Sequence, residues 1–487
     1  MKISIVGGGI SGLVCGIYSL KNNDDVTIYE KNDTLGGINQ YNYFNNYFIY
    51  DKDIPFYEEI GIKDLACLNI NNEEDVYLIN YKDLYLYKDI NKLEKHLKER
   101  DINSSKTIDS FIKDIQSAYQ YLINYDEPID LLSFTKKTKF ILSRGKSNKL
   151  LNKHSKENIR EYLDMFKDDD LKILLRSVLP SDYPAAYLLI FIAYYQMGKI
   201  IKINNKNEII NALQNKYTSL GGKVKYGTEI LKFTYKRSKI VGMWTNSDKY
   251  IETDVCICTN DPYNVFKKIL EGKHDDRKYT LRYEEYKKYP MHSYLSFVYE
   301  LKTPIYLAHD FILDINKMKI AASTHSYLKI SVNDNLLNVN IRLNNDDYFF
   351  FKVMAKNPKV YDNEIANISQ SLQKTIIKSL KNLYDDEDLD VKLSPISYLD
   401  PLMIEKKYNH YQGNVSGFGI IPGNERHISD GRLSGLNALY LASKHNACPA
   451  HLLSEMIEAK NVVLRMEKDL KWWGLFCLCL LFDWCMI

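Results

Sequence analysis

The chain has 487 residues, 45% hydrophobic and 26% charged, with a formal net charge of +3. That balance excludes a disordered polymer, and the charge is too small to argue for a nucleic-acid partner. The length exceeds what one core serves, so two domains are expected.

The chain opens MKISIVGGGISGLVCGIYSL. Ile3, Ile5 and Val6 form a short apolar run of the kind found in a buried parallel strand. The pattern G-x-G-x-x-G follows as Gly7, Gly9 and Gly12, and then Leu13, Ile17 and Leu20 recur at helical spacing. A strand that feeds a helix through glycines aims free N–H groups and a positive dipole end at an anion. Gly7 suits the tight turn, Gly9 the close approach of a pyrophosphate, and Gly12 the packing of helix on strand. A second apolar strand, Val26 to Tyr29, ends at Glu30, roughly 20 residues past the glycines, where a ribose-binding acid belongs. Because the first strand begins at residue 2 or 3, no signal or transit peptide is expected.

Six residues past the acid stands Leu35-Gly36-Gly37. Together these features resemble the flavoprotein superfamily that includes amine oxidases, phytoene desaturases and retinol saturase. The resemblance implies an α/β fold: a Rossmann-type FAD-binding domain with a parallel sheet, plus a mixed α+β substrate domain. It also implies that FAD lies against Gly7, Gly8, Gly9, Ile10, Ser11 and Gly12, with Glu30 and Lys31 towards the ribose and Gly36-Gly37 beside the cofactor. Members commonly place Arg after the glycine pair; this chain has Ile38.

Residues 41–56 are aromatic and look strand-like. The family's hairpin here leads to an Asp-x-Gly turn, and this chain has Asp51-Lys52-Asp53. From about 89 to 200 the pattern is mostly helical and includes residues 131–156, with eight Lys/Arg and no acid. Asn205 and Glu208 read as the N-cap and capping-box partner of a helix over Ile209–Leu220 that stops at Gly221-Gly222. Short strands then lead to DVCICTNDP, which resembles the family's strand returning to the FAD sheet. Cys256 and Cys258 read there as packed thiols.

SYLSFVYEL, KIAAST, LLNVNIRL and YFFFKVM between residues 290 and 355 read as substrate-domain strands, followed by a helix at about 364–383. The stretch from Gly413 to Val463 resembles the family's C-terminal FAD block, with Leu439–Ala442 as its strand and Pro449 opening the last helix. Where the family meets the flavin with Gly, this chain has Ser443-Lys444. A side chain there either fills cofactor space or pairs with a phosphate or the flavin edge.

The expected domains are an FAD-binding part from 1–88, 200–265 and 405–471, a substrate part from 89–199 and 266–404, and an apolar tail at 472–487. The tail holds Trp472, Trp473 and Asp483 and follows Arg465, Lys468 and Lys471. It is too short for a membrane span, and Gly474 suggests a bend. A peripheral membrane contact, a tail packed on the body and an oligomer contact stay open for it. The eight cysteines form no C-x-x-C and the ten histidines no H-E-x-x-H, so no metal site is expected and the chain reads as reduced and cytoplasmic.

The implied activity is hydride transfer between flavin N5 and an apolar, polyene or lipid-like substrate, with no catalytic acid or base assigned. Two alternatives stand beside it. One is a non-catalytic lipid- or prenyl-protein binder like the Rab escort and GDP-dissociation-inhibitor proteins; the other is an amine oxidase.

Overall fold

A computed structural model describes residues 1–40, 46–49, 53–62, 68–71, 77–121, 126–203, 206–305, 307, 310–424, 429–446 and 452–484. The expected Asp51-Lys52 part of the turn, the Asn205 cap and Pro449 lie outside these residues.

The opening motif forms strand Lys2–Val6 and helix Ile10–Lys21. The strand sits in the middle of a five-stranded sheet in the order Leu439–Leu441, Val255–Cys258, Lys2–Val6, Asp25–Tyr29, Lys223–Lys225. Each neighbouring pair is parallel, with Ile5 opposite Ile257 on one side and Ile28 on the other. Every strand reaches the next through a long excursion, as parallel pairing requires. The first helix is buried along almost its whole length. Helix Lys206–Ser219 packs on it from one side and the C-terminal helix, Leu452–Trp484, from another. Gly16 makes the first contact possible: a Cβ there would lie 2.5 Å from the Tyr217 ring. Tyr217 in turn donates its hydroxyl to the Val26 and Lys223 carbonyls, tying helix to sheet edge.

Cys256 and Cys258 are buried free thiols, as expected of packing residues. Strands Ile230–Lys236, Lys239–Thr245 and Tyr250–Glu252 form a separate antiparallel sheet.

The second large layer is a seven-stranded sheet. Strands Ser293–Leu301, Asp310–Ile320, Ser323–Asn333 and Leu336–Leu343 form its bulk. Tyr77–Tyr81 and Leu84–Tyr87 join it at one edge, although they precede residue 89 in sequence. Helix Pro358–Leu383 covers one face through Ile365, Ile368, Leu372, Ile376 and Leu380. A helical cluster spanning roughly Ile90 to Met197 packs its own apolar core.

One strand expected here takes another form and one is split by a turn. YFFFKVM belongs to helix Asn345–Met354, because Asn344 and Asp347 form a complete capping box ahead of it. KIAAST ends one strand with Lys319 and Ile320 and opens the next with Ser323 and Thr324, around a tight turn with Ala321 in the left-handed region at φ 56°.

The C-terminal helix also departs from expectation. It runs through Gly474 to Trp484 without a break. Arg465 is not part of a cationic approach to a membrane: it is 9% exposed and paired with Asp130 and Glu458. Arg432 holds the same helix through both oxygens of Asp469, at 2.8 and 2.9 Å. No helix is long and apolar enough to cross a membrane among the described residues.

Candidate functional site

Gly7 turns the chain out of the first strand with φ +105°, a conformation that favours glycine. Its carbonyl accepts the Thr259 hydroxyl, so the turn after Val255–Cys258 braces the loop. At Gly12 a Cβ would stand 2.1 Å from the Gly7 carbonyl oxygen, which is why helix and strand pack this closely only with glycine. Gly9 caps the helix with no side chain, and a Cβ built on it meets nothing within 4 Å. The first-turn N–H groups of the helix lack intrahelical acceptors. They and the open space at Gly9 make a cradle of the kind that takes an anion.

Gly36 closes over this cradle. Its amide donates to the Gly8 carbonyl at 2.8 Å, and it forms an isolated bridge with Gly9. Glu30 is buried, with Oε2 accepting from the Gly8 amide at 2.7 Å and Oε1 from the Asn32 amide at 2.8 Å. Lys31 points elsewhere, its Nζ 3.5 Å from the Lys406 carbonyl.

The cavity that results is lined by Gly9, Ile10, Ser11, Gly36, Gly37 and Ile38 from the N-terminal side. Ser443 and Lys444 close it from the end of the last sheet strand. Gly7, Gly8, Gly12 and Glu30 stand behind the lining rather than in it, and Lys31 is outside it.

Five further lining residues were not named from sequence as site residues: Thr259, Asp261, His410, His445 and Glu455. Asp261 opens the turn after the returning strand. Its carboxylate accepts the Tyr283 hydroxyl at 2.5 Å and the amides of Tyr263 and Tyr411. No motif marks His410 or Glu455; their meeting depends on tertiary folding.

The electrostatics of the cavity are unusual. Lys444 is 8% exposed, donates to the Asn414 carbonyl at 3.0 Å and lies 3.1 Å from His410 Nδ1. Burial lowers its pKa to about 8, against the pull of Glu455 and Asp261. Burial also drives His445 down to about 4 and, with the Lys444 charge, holds His410 well below the usual imidazole range. Both imidazoles are therefore neutral at pH 7. Glu455 accepts the Ser11 hydroxyl at 2.6 Å, and burial raises its carboxyl above the usual range.

The enclosed space is about 60 Å³. That holds about four waters. The dinucleotide end has the chemistry of a diphosphate site, first-turn amides beside the open Gly9 backbone, and the Glu455 carboxylate already stands there on Ser11. The flavin end, with Lys444 and His445 folded inward, admits a ring only after these side chains move. Among the described residues no group of His, Cys, Asp and Glu is arranged for a metal ion.

A family model described as an NAD(P)-binding Rossmann-like domain matches residues 5–54. In sequence, the chain is 23% identical over 301 residues to 4,4'-diapolycopen-4-al dehydrogenase of Metabacillus indicus, covering 58% of this chain and 60% of that protein. It is 23% identical over 317 residues to 4,4'-diapophytoene desaturase of Staphylococcus aureus, covering 60% and 59%. In structure, cyclohexylamine oxidase from Brevibacterium oxydans superposes with a TM-score of 0.58 at 12% identity, covering 96% of this chain and 99% of that one. A putrescine oxidase variant superposes with a TM-score of 0.56, also at 12% identity, over 96% and 98%. The chain is similar to phytoene desaturase-type enzymes over part of its sequence and shares the fold of amine oxidases. The match spans about 60% of the length of these curated relatives, and the structural likenesses at this identity show the fold. Within this fold, the cavity above lies where the glycine loop, the Gly36-Gly37 step and the C-terminal helix converge.

Proposed function

We propose that this chain is an FAD-dependent oxidoreductase that transfers a hydride between an apolar, polyene or lipid-like, substrate and the flavin. The observation that carries the reading is the convergence of Gly9, Gly36-Gly37 and Ser443-Lys444, from distant parts of the chain, on one cradle at a helix N-terminus. FAD supplies the redox chemistry when bound.

The chain's own residues do the rest. The first-turn amides and Ser11 hold the diphosphate, and Glu30 anchors the ribose end. Lys444 supplies a buried positive charge beside the cofactor path. The neutral imidazoles of His410 and His445 keep that wall free of a second cation. The apolar class of substrate is supported by the carotenoid-type names of the sequence relatives.

A peripheral membrane contact is part of this proposal. Helix Phe134–Ser143 buries no residue, and Phe134 and Leu142 are 84% and 74% exposed. Lys137 and Lys139 are exposed on the same short helix, a combination suited to an anionic lipid surface.

The closed flavin end favours a second reading, a binding protein of the same fold that performs no redox chemistry. The absorbance spectrum of the purified chain, before and after incubation with FAD, separates the two. Bound oxidised-flavin bands support the oxidoreductase; no bound flavin after incubation supports the binder.

A further inference from the structure

The anion-binding end of the first helix already has an occupant. Gly9 offers no side-chain cap, and the Glu455 carboxylate takes that place. Glu455 Oε1 accepts the Ser11 hydroxyl at 2.6 Å, and the Ser11 amide is directed at the same carboxylate. Glu455 stands 444 positions further along the chain, in the first turn of the C-terminal helix. Opposite it, across the same small cavity, is the Lys444 ammonium. A helix N-terminus with free amides, a hydroxyl donor and a cation nearby is the chemistry of a phosphate site. Here a side chain of the protein supplies the anion.

We infer that Glu455 takes the place of a cofactor's diphosphate and must be displaced or neutralised before a dinucleotide binds. This rests on the dinucleotide reading above. Two anions at one helix terminus repel each other, so a charged Glu455 opposes the incoming diphosphate. A protonated Glu455 does not, and it becomes a hydrogen-bond donor.

The groups that face it set the direction of the pH effect. Ser11, from the first helix, is neutral. Lys444, from the turn after the last sheet strand, is the nearest charge; His410, His445 and Asp261 line the remaining wall. Falling pH protonates a carboxyl that burial has already raised. Rising pH strips Lys444, whose pKa is lowered to about 8. Both changes make dinucleotide binding tighter in acid and weaker in base.

The test is equilibrium titration of the full chain with FAD, comparing wild type with Glu455→Gln near pH 6 and near pH 8, with Glu455→Ala as a second variant should the amide misfold. The neutral variants are expected to bind at least about 10-fold tighter near pH 8. The gap should narrow at the lower pH, towards which the raised wild-type carboxyl gains protons. Variants that bind no tighter than wild type overturn the inference. If none of the proteins binds FAD, the oxidoreductase reading fails, and the same comparison with ADP and inorganic pyrophosphate decides the role of Glu455. Tighter binding of either anion by the variants supports it; equal affinity, or no binding by any protein, overturns it.

Discussion

The Gly8 amide donates to Glu30 Oε2 at 2.7 Å, so the acid at the end of the second strand holds the glycine loop. The other carboxylate oxygen accepts from the Asn32 amide, and the side chain is 7% exposed. Both oxygens are oriented before a cofactor arrives. Charge-assisted hydrogen bonds of this kind contribute about 1.5–3 kcal/mol each.

Glu30→Ala should therefore weaken FAD binding by about 10-fold or more and lower the melting temperature of the cofactor-free protein as well. Glu30→Gln, which keeps one acceptor oxygen, should fall between. FAD titration together with thermal melts checks this; an unchanged affinity in a less stable protein would make the acid purely structural.

Gly9 and Gly12 should respond oppositely to valine. At Gly9 a Cβ meets nothing and φ is −69°, so Gly9→Val should fold normally and lose FAD content severely. At Gly12 the new Cβ would press on the Gly7 carbonyl, so Gly12→Val should cost several kcal/mol of stability, on the scale of an overpacked core. Flavin content per folded chain and urea melts distinguish the two outcomes.

Lys444 should leave a mark on the pH dependence of folding. Its pKa falls from 10.5 unfolded to about 8 folded. Between those values the unfolded chain holds a proton that the folded one has lost, so stability rises with pH through that window. The shift corresponds to about 3 kcal/mol. In Lys444→Met this contribution disappears, so the variant's stability relative to wild type should drop by about 3 kcal/mol between pH ~7 and pH ~10.5. Urea melts at the two pH values measure it; parallel curves would show that the ammonium is not desolvated.

Vesicle co-sedimentation tests the lipid contact. The full chain should pellet with anionic vesicles, and Phe134→Ser combined with Leu142→Ser should reduce pelleting several-fold. A chain ending at Lys471 separates the tail's share. Salt should weaken the lysine contribution and spare the apolar one. Equal pelleting by all three proteins would exclude both surfaces as anchors.

Much of the dinucleotide unit was legible in the sequence because its signals are local. The strand, glycines and helix from Ile3 to Leu20 follow one another directly, and Val255–Cys258 and Leu439–Leu441 are short buried apolar runs that have few other uses. The misread pieces share a physical cause. An apolar run of seven residues, such as YFFFKVM, fits strand or helix equally, and the decision lay just outside it in the Asn344–Asp347 capping box. Arg465 looked like a solvent cation because its partner Asp130 is 335 positions away. Glu455 escaped notice for the same reason: an acid in the first turn of a helix is ordinary, and only the fold shows that it caps a different helix.

The order of strands in the parallel sheet has a consequence for biosynthesis. Lys2–Val6 and Asp25–Tyr29 leave the ribosome first, yet Lys2–Val6 has as its neighbour Val255–Cys258, which in turn pairs with Leu439–Leu441. At 5–20 residues per second, roughly 20–80 s separate the first two strands from the last. The glycine loop is made early but acquires its opposite wall, Ser443, Lys444 and Glu455, only after Leu439–Leu441 has been made. The nascent chain therefore carries an unpaired apolar strand edge until Leu439–Leu441 is made, a state that calls for chaperone shielding, and the cradle has both its walls only after that strand and the helix beyond it exist.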